Sequence, residues 1–358
     1  MSNVWSENAK KYNLHEKWRS TAKEAYLYEK LDNGQVRCHL CPRQCTISKD
    51  GVGFCKVRKN IDGTLYAQSY GKATHVAIEK IETEAVFHYK PGSNILSLGN
   101  VGCNLDCDYC QNWKYSQFQY TNPDVINTYT SDDVIKMALD NDIKILSWTY
   151  NDPSVWFEFV VDTARKAKEH GIISLFKSAY FLSDEAIETI IDVCDVFAVS
   201  IKAINHDYYK KFTKGWLDPV LNCAKKIYAS GKHLEVSNLI VTGLTNNDEE
   251  YMRMINFMRN ELDPSVPLHF TRFHPDYKYT HVEKTPLKDV RRARELAFRN
   301  GLKHVYVGNV FADESINTYC VKCGEKLVER FGLTSNVLDS LDKNGHCKKC
   351  GADNEIIL

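Results

Sequence analysis

The chain has 358 residues, 43% of them hydrophobic and 11% aromatic, which is enough for a sizeable core without covalent cross-links. Its 46 Lys and Arg residues balance 46 Asp and Glu residues, so there is no basic excess to indicate a nucleic-acid partner. The first 20 residues lack the apolar stretch of a secretory signal, and no run reaches the about 18 apolar residues that span a bilayer. We therefore expect a cytoplasmic protein with no membrane partner.

The first feature along the chain is a group of four cysteines in irregular spacing, within a segment that we place at residues 1–70. The group consists of Cys38, Cys41, Cys45 and Cys55. Cytoplasmic disulfides are disfavoured, so clustered cysteines indicate metal ligands or redox groups. We predict a loop that wraps an auxiliary metal site, either a metal ion or a cluster. The alternative is four reduced thiols without a chemical role.

Between residues 94 and 310, short apolar strands alternate with amphipathic helices, a pattern typical of a parallel sheet with right-handed crossovers. Gly171 suits the left-handed end of one helix, and Asp218 with Pro219 suits the start of another. The predicted strands are 94–100, 143–150, 172–178, 195–202, 233–241, 267–273 and 304–310. The predicted helices are 154–170, 218–230, 247–260 and 285–301. About seven strands favour an α/β fold with a partial or complete TIM-type barrel over residues 71–312, with its chemistry at the carboxyl ends of the strands.

A second group of cysteines directly follows the first predicted strand, in the stretch GCNLDCDYCQN. Cys103, Cys107 and Cys110 are spaced C-x3-C-x2-C, and the next cysteine is Cys194. Three thiolates on a [4Fe-4S] cluster leave one iron open, as catalytic metal sites do and structural sites do not. The amine and carboxylate of S-adenosylmethionine (SAM) would complete that iron. The alternatives are a zinc site completed by a distant residue, or core thiols.

Tyr109 fills the position before Cys110, and the stretch resembles the C-x3-C-x-aromatic-C signature of the radical SAM superfamily. The resemblance implies an enzyme in which a reduced [4Fe-4S] cluster cleaves SAM to methionine and a 5′-deoxyadenosyl radical, which abstracts hydrogen from a substrate. It also implies an electron donor such as flavodoxin or ferredoxin, and it makes Tyr109 a candidate cofactor contact.

The resemblance extends over nearly the whole chain. The segments CHLCPRQC, GVGFC, CDYCQNW, WTYNDPSVWFE, FHPDYK, VYVGNV and two terminal C-x2-C pairs occur in one order. That combination looks like the radical SAM member of the AmmeMemoRadiSam system, a group similar to pyruvate formate-lyase-activating enzymes.

The resemblance also implies cofactor-binding residues after the second and third predicted strands. Tyr150, Asn151 and Asp152 stand where the superfamily holds the SAM amine, although family members commonly carry Glu at the position of Asp152. Ser178 stands near the ribose position, where the family usually has Thr-Asn-Gly. The structural alternative for Asn151 to Pro153 is a turn that starts a helix, which these residue types favour by themselves.

Later strands provide further candidate contacts. Lys202 matches the lysine of the family's Asp-Leu-Lys, while Ser200 replaces the acid, and an ordinary solvated lysine is the alternative. Arg272 and His274 follow a strand, where they would meet the adenine or the substrate. A structural histidine is the alternative for His274.

The chain ends with two C-x2-C pairs separated by 23 residues, each followed by a glycine, Gly324 and Gly351. The ligands are Cys320, Cys323, Cys347 and Cys350. Two tight turns that aim four thiolates at one metal predict a rubredoxin-like or zinc-ribbon-like domain at residues 313–358, with zinc or iron bound. A metal-free domain is the alternative. Cys194 and Cys223 are most simply small core residues.

The leading functional prediction is a radical SAM enzyme that acts on an unidentified small molecule or peptide. A glycyl-radical-enzyme activase is the alternative within the same class. A non-catalytic iron–sulfur or zinc protein that transfers electrons or organises partners is the alternative from another class, and it predicts a cluster without SAM binding. A nucleic-acid-binding zinc protein is disfavoured by the neutral charge.

Overall fold

The computed structural model describes residues 13–358, and its central feature is an eight-stranded sheet. The strands are β1 (His75–Lys80), β2 (Asn94–Gly99), β3 (Ile145–Thr149), β4 (Ile173–Ser178), β5 (Val196–Ile201), β6 (His233–Ile240), β7 (Leu268–Arg272) and β8 (Val305–Gly308). They lie side by side in chain order. Strands β2 to β8 are parallel, which confirms the seven predicted strands, and β1 pairs antiparallel with β2.

The sheet is open, because β1 and β8 are its two edges and do not pair with each other. A complete TIM-type barrel is therefore wrong for this chain. Closure requires the last strand to pair with the first, and here an antiparallel strand occupies that edge. Sequence reasoning missed β1 because its residues are exposed or only half-buried, so it lacks the apolar run that marked the other strands.

Six helices of ten or more residues accompany the parallel strands. They are α1 (Ser131–Asp140), α2 (Phe157–Glu169), α3 (Asp184–Val193), α4 (Leu217–Ala229), α5 (Asp248–Glu261) and α6 (Leu287–Arg299). The left-handed conformation predicted at Gly171 is confirmed, with φ at +67°. The predicted cap at Asp218 is wrong, because α4 already begins at Leu217 and Asp218 lies in its first turn.

Short strands and helical turns occur before, between and after these long elements. The short strands are Lys23–Glu24, Tyr28–Lys30, Val36–Cys38, Thr46–Ile47, Arg58–Ile61, Thr64–Ala67, Lys72–Ala73, Asn127–Thr128, Thr318–Tyr319, Lys326–Phe331 and Thr334–Val337. The short helical turns are Leu14–Lys17, Arg19–Thr21, Asp32–Gly34, Ile81–Glu84, Trp113–Ser116, Phe118–Tyr120, Pro123–Val125, Pro153–Trp156, His206–Tyr208, Tyr209–Thr213 and Glu314–Ile316. No helix within residues 13–358 has the length and apolar character needed to cross a membrane.

The predicted N-terminal segment packs on the main sheet's helices. Arg58 forms a fully buried ion pair with Glu158 of α2, and the Ser183 N–H donates to the Leu40 carbonyl at 3.1 Å. The division at residues 70 and 312 stays a prediction. Residues 1–12, which include most of the segment examined for a secretory signal, lie outside the described residues.

Candidate functional site

One cavity of about 320 Å³ lies toward the carboxyl ends of the parallel strands. Residues from many parts of the chain line it. They include Cys103, Cys107 and Cys110 after β2, Tyr150, Asn151 and Asp152 after β3, Lys177 and Ser178 of β4, Lys202 after β5, His269 and Thr271 of β7, Asn309 after β8, and Gly332 and Leu333 from the C-terminal hairpin. Chemistry thus gathers at the strand ends, as a parallel sheet of this kind favours.

The three cysteines after β2 all face this cavity, yet their sulfur atoms do not converge. Within residues 13–358, the C-terminal cysteines are the one group of three or more ligands whose atoms converge, all within 4.8 Å of one another. Burial raises the pKa of the Cys107 thiol to about 12 and also raises the pKa of Cys103, and a bound metal cation would favour the thiolate form of both. Separate thiols on one cavity wall suit a cluster that bonds each sulfur to a different iron better than they suit a single zinc ion.

Local contacts orient the cysteine loop. The Leu105 N–H donates to the Cys103 sulfur at 3.3 Å, and the Ser116 hydroxyl lies 3.3 Å from the Cys110 sulfur. Hydrogen bonds to the sulfurs stabilise negative charge on cluster thiolates. Tyr109 is buried, lines the cavity and has no partner for its hydroxyl among the described residues.

The loop after β3 is fixed against the cysteine loop. Tyr150 adopts a left-handed conformation, with φ at +73°, and donates its hydroxyl to Glu79 at 2.6 Å. The Asn151 amide nitrogen donates to the Gly102 carbonyl at 2.6 Å, directly beside Cys103. The amide oxygen of Asn151 is buried and has no donor within the described residues, so it is free to accept a hydrogen bond from an amine.

Asp152 and Ser178 are already occupied by protein contacts. The Asp152 carboxylate accepts the Ser178 hydroxyl at 2.8 Å, the Ser154 N–H at 3.0 Å and the Ala179 N–H at 3.1 Å. The Ser178 hydroxyl also accepts the Tyr180 N–H at 2.8 Å. These bonds join the ends of β3 and β4, so both residues fit a positioning role better than direct cofactor contact.

Two lysines point into the cavity with different environments. Lys177 donates to the Glu84 carbonyl at 2.6 Å, and its ammonium lies 3.8 Å from the Glu84 carboxylate. The Lys202 ammonium has no hydrogen bond or ion pair in the part of the chain described here, while its backbone N–H donates to the Tyr209 hydroxyl oxygen at 3.1 Å. Burial raises the pKa of Cys107 and Cys110, and the Lys202 charge partly opposes that rise. Lys202 therefore supplies positive charge beside the cysteines.

Arg272 and His274 do not reach the cavity. Arg272 donates to the Thr285 carbonyl at 2.8 Å, and His274 is exposed with its ring nitrogen 3.0 Å from the Pro275 carbonyl. Side chains alternate along a strand, so His269 and Thr271 of β7 face the cavity while Arg272 points away. Sequence reasoning missed His269 and Thr271, although the alternation of β7 would have identified them.

His269 is held at the base of the cavity by a buried acid. Its ring nitrogen lies 2.7 Å from the Glu235 carboxylate, which also accepts the Phe87 and His88 N–H groups at 2.8 and 2.7 Å. Burial lowers the pKa of His269, and the hydrogen bond and charge of the Glu235 carboxylate partly oppose that shift.

The C-terminal cysteines form a second, convergent group. The Cys320 and Cys350 sulfurs are 3.5 Å apart, and the Cys323 and Cys347 sulfurs are 3.7 Å apart. Tetrahedral zinc with bonds of about 2.3 Å needs sulfur separations of about 3.8 Å. The Gly324 N–H donates to the Cys320 carbonyl oxygen, and the Gly351 N–H donates to the Cys347 carbonyl oxygen. The two C-x2-C turns therefore have the same backbone geometry, and their four thiols converge. Cys194 and Cys223 are buried in the core, away from both groups.

The sequence is similar to a known protein family and to individual proteins of other organisms. A model described as "Radical SAM superfamily" matches residues 97–258. Uncharacterized protein MJ0808 of Methanocaldococcus jannaschii is 40% identical over 338 residues, which cover 94% of this chain and all of that protein. A pyruvate formate-lyase-activating enzyme of Streptococcus mutans is 25% identical over 174 residues, or 44% of this chain and 63% of that enzyme.

A comparison with solved structures concerns the fold alone. A radical SAM methyltransferase from Sphaerobacter thermophilus superimposes with a TM-score of 0.50 and 12% identity, covering 85% of this chain and 81% of that one. The architecture described above is therefore also found in that methyltransferase.

Proposed function

Because the chain belongs to the radical SAM superfamily and is an enzyme of that class, we propose that it cleaves SAM reductively at the Cys103 site. The product radical would act on a small molecule or peptide. One observation carries this proposal: three thiols, an unpartnered amide oxygen and an unpaired ammonium group face a single cavity. Cys103, Cys107 and Cys110 would hold a [4Fe-4S] cluster, whose chemistry when bound would be one-electron reductive cleavage of SAM, yielding methionine and a radical that removes a hydrogen atom from the substrate.

The residues present fit that cofactor pair. Cys103, Cys107 and Cys110 would hold the cluster, since each thiol reaches the cavity separately. The Asn151 amide oxygen would accept a hydrogen bond from the SAM amine, and Lys202 would pair with the SAM carboxylate. His269 and Thr271 line the same cavity from β7, whereas the cysteine loop follows β2. In that position they would meet the nucleoside or the substrate.

A substrate modified within the cavity is favoured over a glycyl-radical partner. Gly332 and Leu333 of the C-terminal hairpin form part of the cavity wall, which narrows access for a folded protein. Activation of a glycyl-radical enzyme is the second candidate, supported by the likeness to activating enzymes.

The order of the cysteine motifs further supports the AmmeMemoRadiSam group. We also propose zinc at the C-terminal cysteines and a flavodoxin or ferredoxin as electron donor.

Anaerobic incubation of reconstituted protein with SAM and dithionite tests the proposal. We expect 5′-deoxyadenosine by chromatography, and we expect Cys107→Ala to abolish it because one cluster ligand is lost. Cys223→Ala, which removes a core thiol, is the matched control and should retain the activity. No 5′-deoxyadenosine from cluster-loaded protein, together with an EPR spectrum unchanged by SAM, would instead support a non-catalytic iron–sulfur protein.

A further inference from the structure

Four cysteines that SAM cleavage does not use line a second cavity. They are Cys38, Cys41, Cys45 and Cys55. Cys38 ends the strand Val36–Cys38, Cys41 and Cys45 lie in the following turn, and Cys55 lies in a later loop. The rest of the wall of this small cavity combines apolar residues with Arg43, Arg58 and Asn104. The four cysteines span 17 positions, from Cys38 to Cys55, and the fold brings their thiols to the wall of one cavity.

The spacing of these thiols argues against a single metal ion. A lone zinc or iron ion draws its four sulfurs close together, and the four C-terminal sulfurs all lie within 4.8 Å of one another. Cys38, Cys41, Cys45 and Cys55 share one cavity, but within residues 13–358 they are not a group whose ligand atoms converge on one metal position as the C-terminal sulfurs do. A polynuclear iron–sulfur cluster, which bonds each thiolate to its own iron, matches separated thiols on one cavity wall.

A buried arginine also points to a negatively charged occupant. Arg58 is 1% exposed and lines this cavity, with its guanidinium 3.9 Å from the Cys38 sulfur. It forms an ion pair with Glu158, yet its Nε–H has no acceptor within the described residues. An unpaired N–H on a buried cation is costly unless an acceptor is bound, and sulfides or thiolates of a cluster provide one.

The second cavity shares a wall with the Cys103 site. A Cβ atom on Gly102 would lie 3.0 Å from the Cys55 carbonyl oxygen, so the two loops are in contact immediately before Cys103. On the other side of Cys103, Arg43 donates to the Asn104 carbonyl at 2.9 Å, and both of these residues line the second cavity. Both neighbours of Cys103 therefore contact the segment that carries the four cysteines.

From this arrangement we propose that Cys38, Cys41, Cys45 and Cys55 hold an auxiliary [4Fe-4S] cluster that passes single electrons to the cluster at Cys103. A low-potential one-electron donor is oxidised by one electron, the auxiliary cluster carries that electron, and the Cys103 cluster is reduced by one. No bond or proton changes in this transfer. The transfer rests on the proposed function for its acceptor, whereas the auxiliary cluster itself does not.

The cluster is tested in a full-length variant that lacks the first site, Cys103→Ala/Cys107→Ala/Cys110→Ala, after anaerobic reconstitution with iron and sulfide. We expect about four acid-labile sulfides per chain, the content of one [4Fe-4S] cluster. Adding Cys45→Ser, at a partly exposed position that tolerates a polar atom, should remove most of them. Adding Cys194→Ala instead is the matched control and should leave the sulfide content unchanged. Absence of labile sulfide from the triple variant, or sulfide that survives Cys45→Ser and also Cys38→Ser, would overturn the proposal.

Labile sulfide makes this test specific, because neither zinc nor a rubredoxin-type iron at the C-terminal cysteines contains any. It also separates the two proposals. A protein that fails to cleave SAM while its triple variant keeps four sulfides contradicts the proposed function alone.

The electron transfer is tested by EPR of the fully reduced protein. Two clusters in adjacent loops should couple magnetically, so the spectrum should differ from the sum of those of the triple variant and of Cys45→Ser. A purely additive spectrum, with both clusters reduced, would contradict the contact between the sites on which electron transfer depends.

Discussion

Lys202 is the residue on which cofactor affinity should depend most directly. Its ammonium faces the cavity beside Cys107 and forms no ion pair within residues 13–358. A hydrogen bond to a charged group is worth about 1.5–3 kcal/mol, so Lys202→Met should weaken SAM binding by roughly 10- to 100-fold. Titration calorimetry of the cluster-loaded protein measures the change.

The controls for Lys202 separate charge from structure. Lys202→Arg should keep most of the affinity, and Lys225→Met, which removes an exposed lysine paired with Glu261, should keep all of it. Iron content should be unchanged in all three variants. Wild-type affinity in Lys202→Met would remove Lys202 from the SAM site.

His304 should make folding sensitive to acid. The residue lies directly before β8, and its ring is 4.4 Å from the ring of His88. Burial lowers the pKa of His304 to about 4, against the usual 6.5, so below pH 6.5 the unfolded chain binds more protons than the folded one. Stability is therefore complete above pH 6.5 and falls toward pH 4, by roughly 3 kcal/mol from this group.

Denaturant unfolding at pH 7 and pH 5 measures that loss. His304→Gln should unfold with a smaller difference between the two pH values, while His206→Gln, at an exposed position, should reproduce the wild type. An unchanged pH dependence in His304→Gln would place the acid sensitivity in other groups, of which buried His88 is the nearest.

For individual residues, the sequence predicted the cysteines and Tyr109 because a short, local spacing identifies them. It could not predict that Asp152 and Ser178 satisfy each other, since that bond joins two strands 26 positions apart. The sequence motif placed Arg272 at the cavity because the motif continues past the end of the strand. Which side chains face the cavity is determined instead by the alternation of side chains within β7.

At the scale of secondary structure, prediction succeeded where apolar residues repeat with a clear period. Strands β2 to β8 are buried and were found within two residues of their bounds. The helices α1 and α3 were missed, although Thr130 and Asp133 form a capping box at the start of α1 and Ser183 caps the start of α3. The open edge depends on which strands pair, and pairing is a long-range property that no local pattern encodes.

The C-terminal knuckles are an element whose stability should depend on its metal. Cys320→Ala removes one of four convergent thiols and leaves the others without a complete site. Loss of a structural metal is among the changes that cost a protein roughly 4 kcal/mol or more, so we expect a lower melting temperature and loss of one bound metal ion. Calorimetry with metal analysis measures both.

The same variant tests the division of labour between the sites. Cys320→Ala should still form 5′-deoxyadenosine at a temperature where it remains folded, because its ligand group is separate from the Cys103 loop. Val321→Ala, beside Cys320 but exposed, should alter neither stability nor metal content. If folded, cluster-loaded Cys320→Ala cannot cleave SAM, the knuckles contribute to the reaction itself.

Across the whole molecule, the C-terminal segment connects the loop between β1 and β2 with β8. In that loop, the Phe87 carbonyl accepts a hydrogen bond from Arg330 and the His88 carbonyl accepts one from the Ile357 N–H, both at 2.8 Å. In β8, the Tyr306 hydroxyl lies 2.9 Å from that of Thr318. A metal bound at the C-terminal cysteines should therefore also stabilise these contacts with the loop and with β8.

Removal of the C-terminal metal with a chelator should therefore loosen the loop between β1 and β2 and the edge strand β8. Amide hydrogen exchange should become faster at residues 86–90 and in β8, because their partners in the C-terminal segment lose their order. The amides of α5 provide the internal reference and should keep their protection. Unchanged exchange in both regions after complete metal removal would mean that Arg330 and the apolar contacts hold the segment without the metal, and that the knuckles stabilise only themselves.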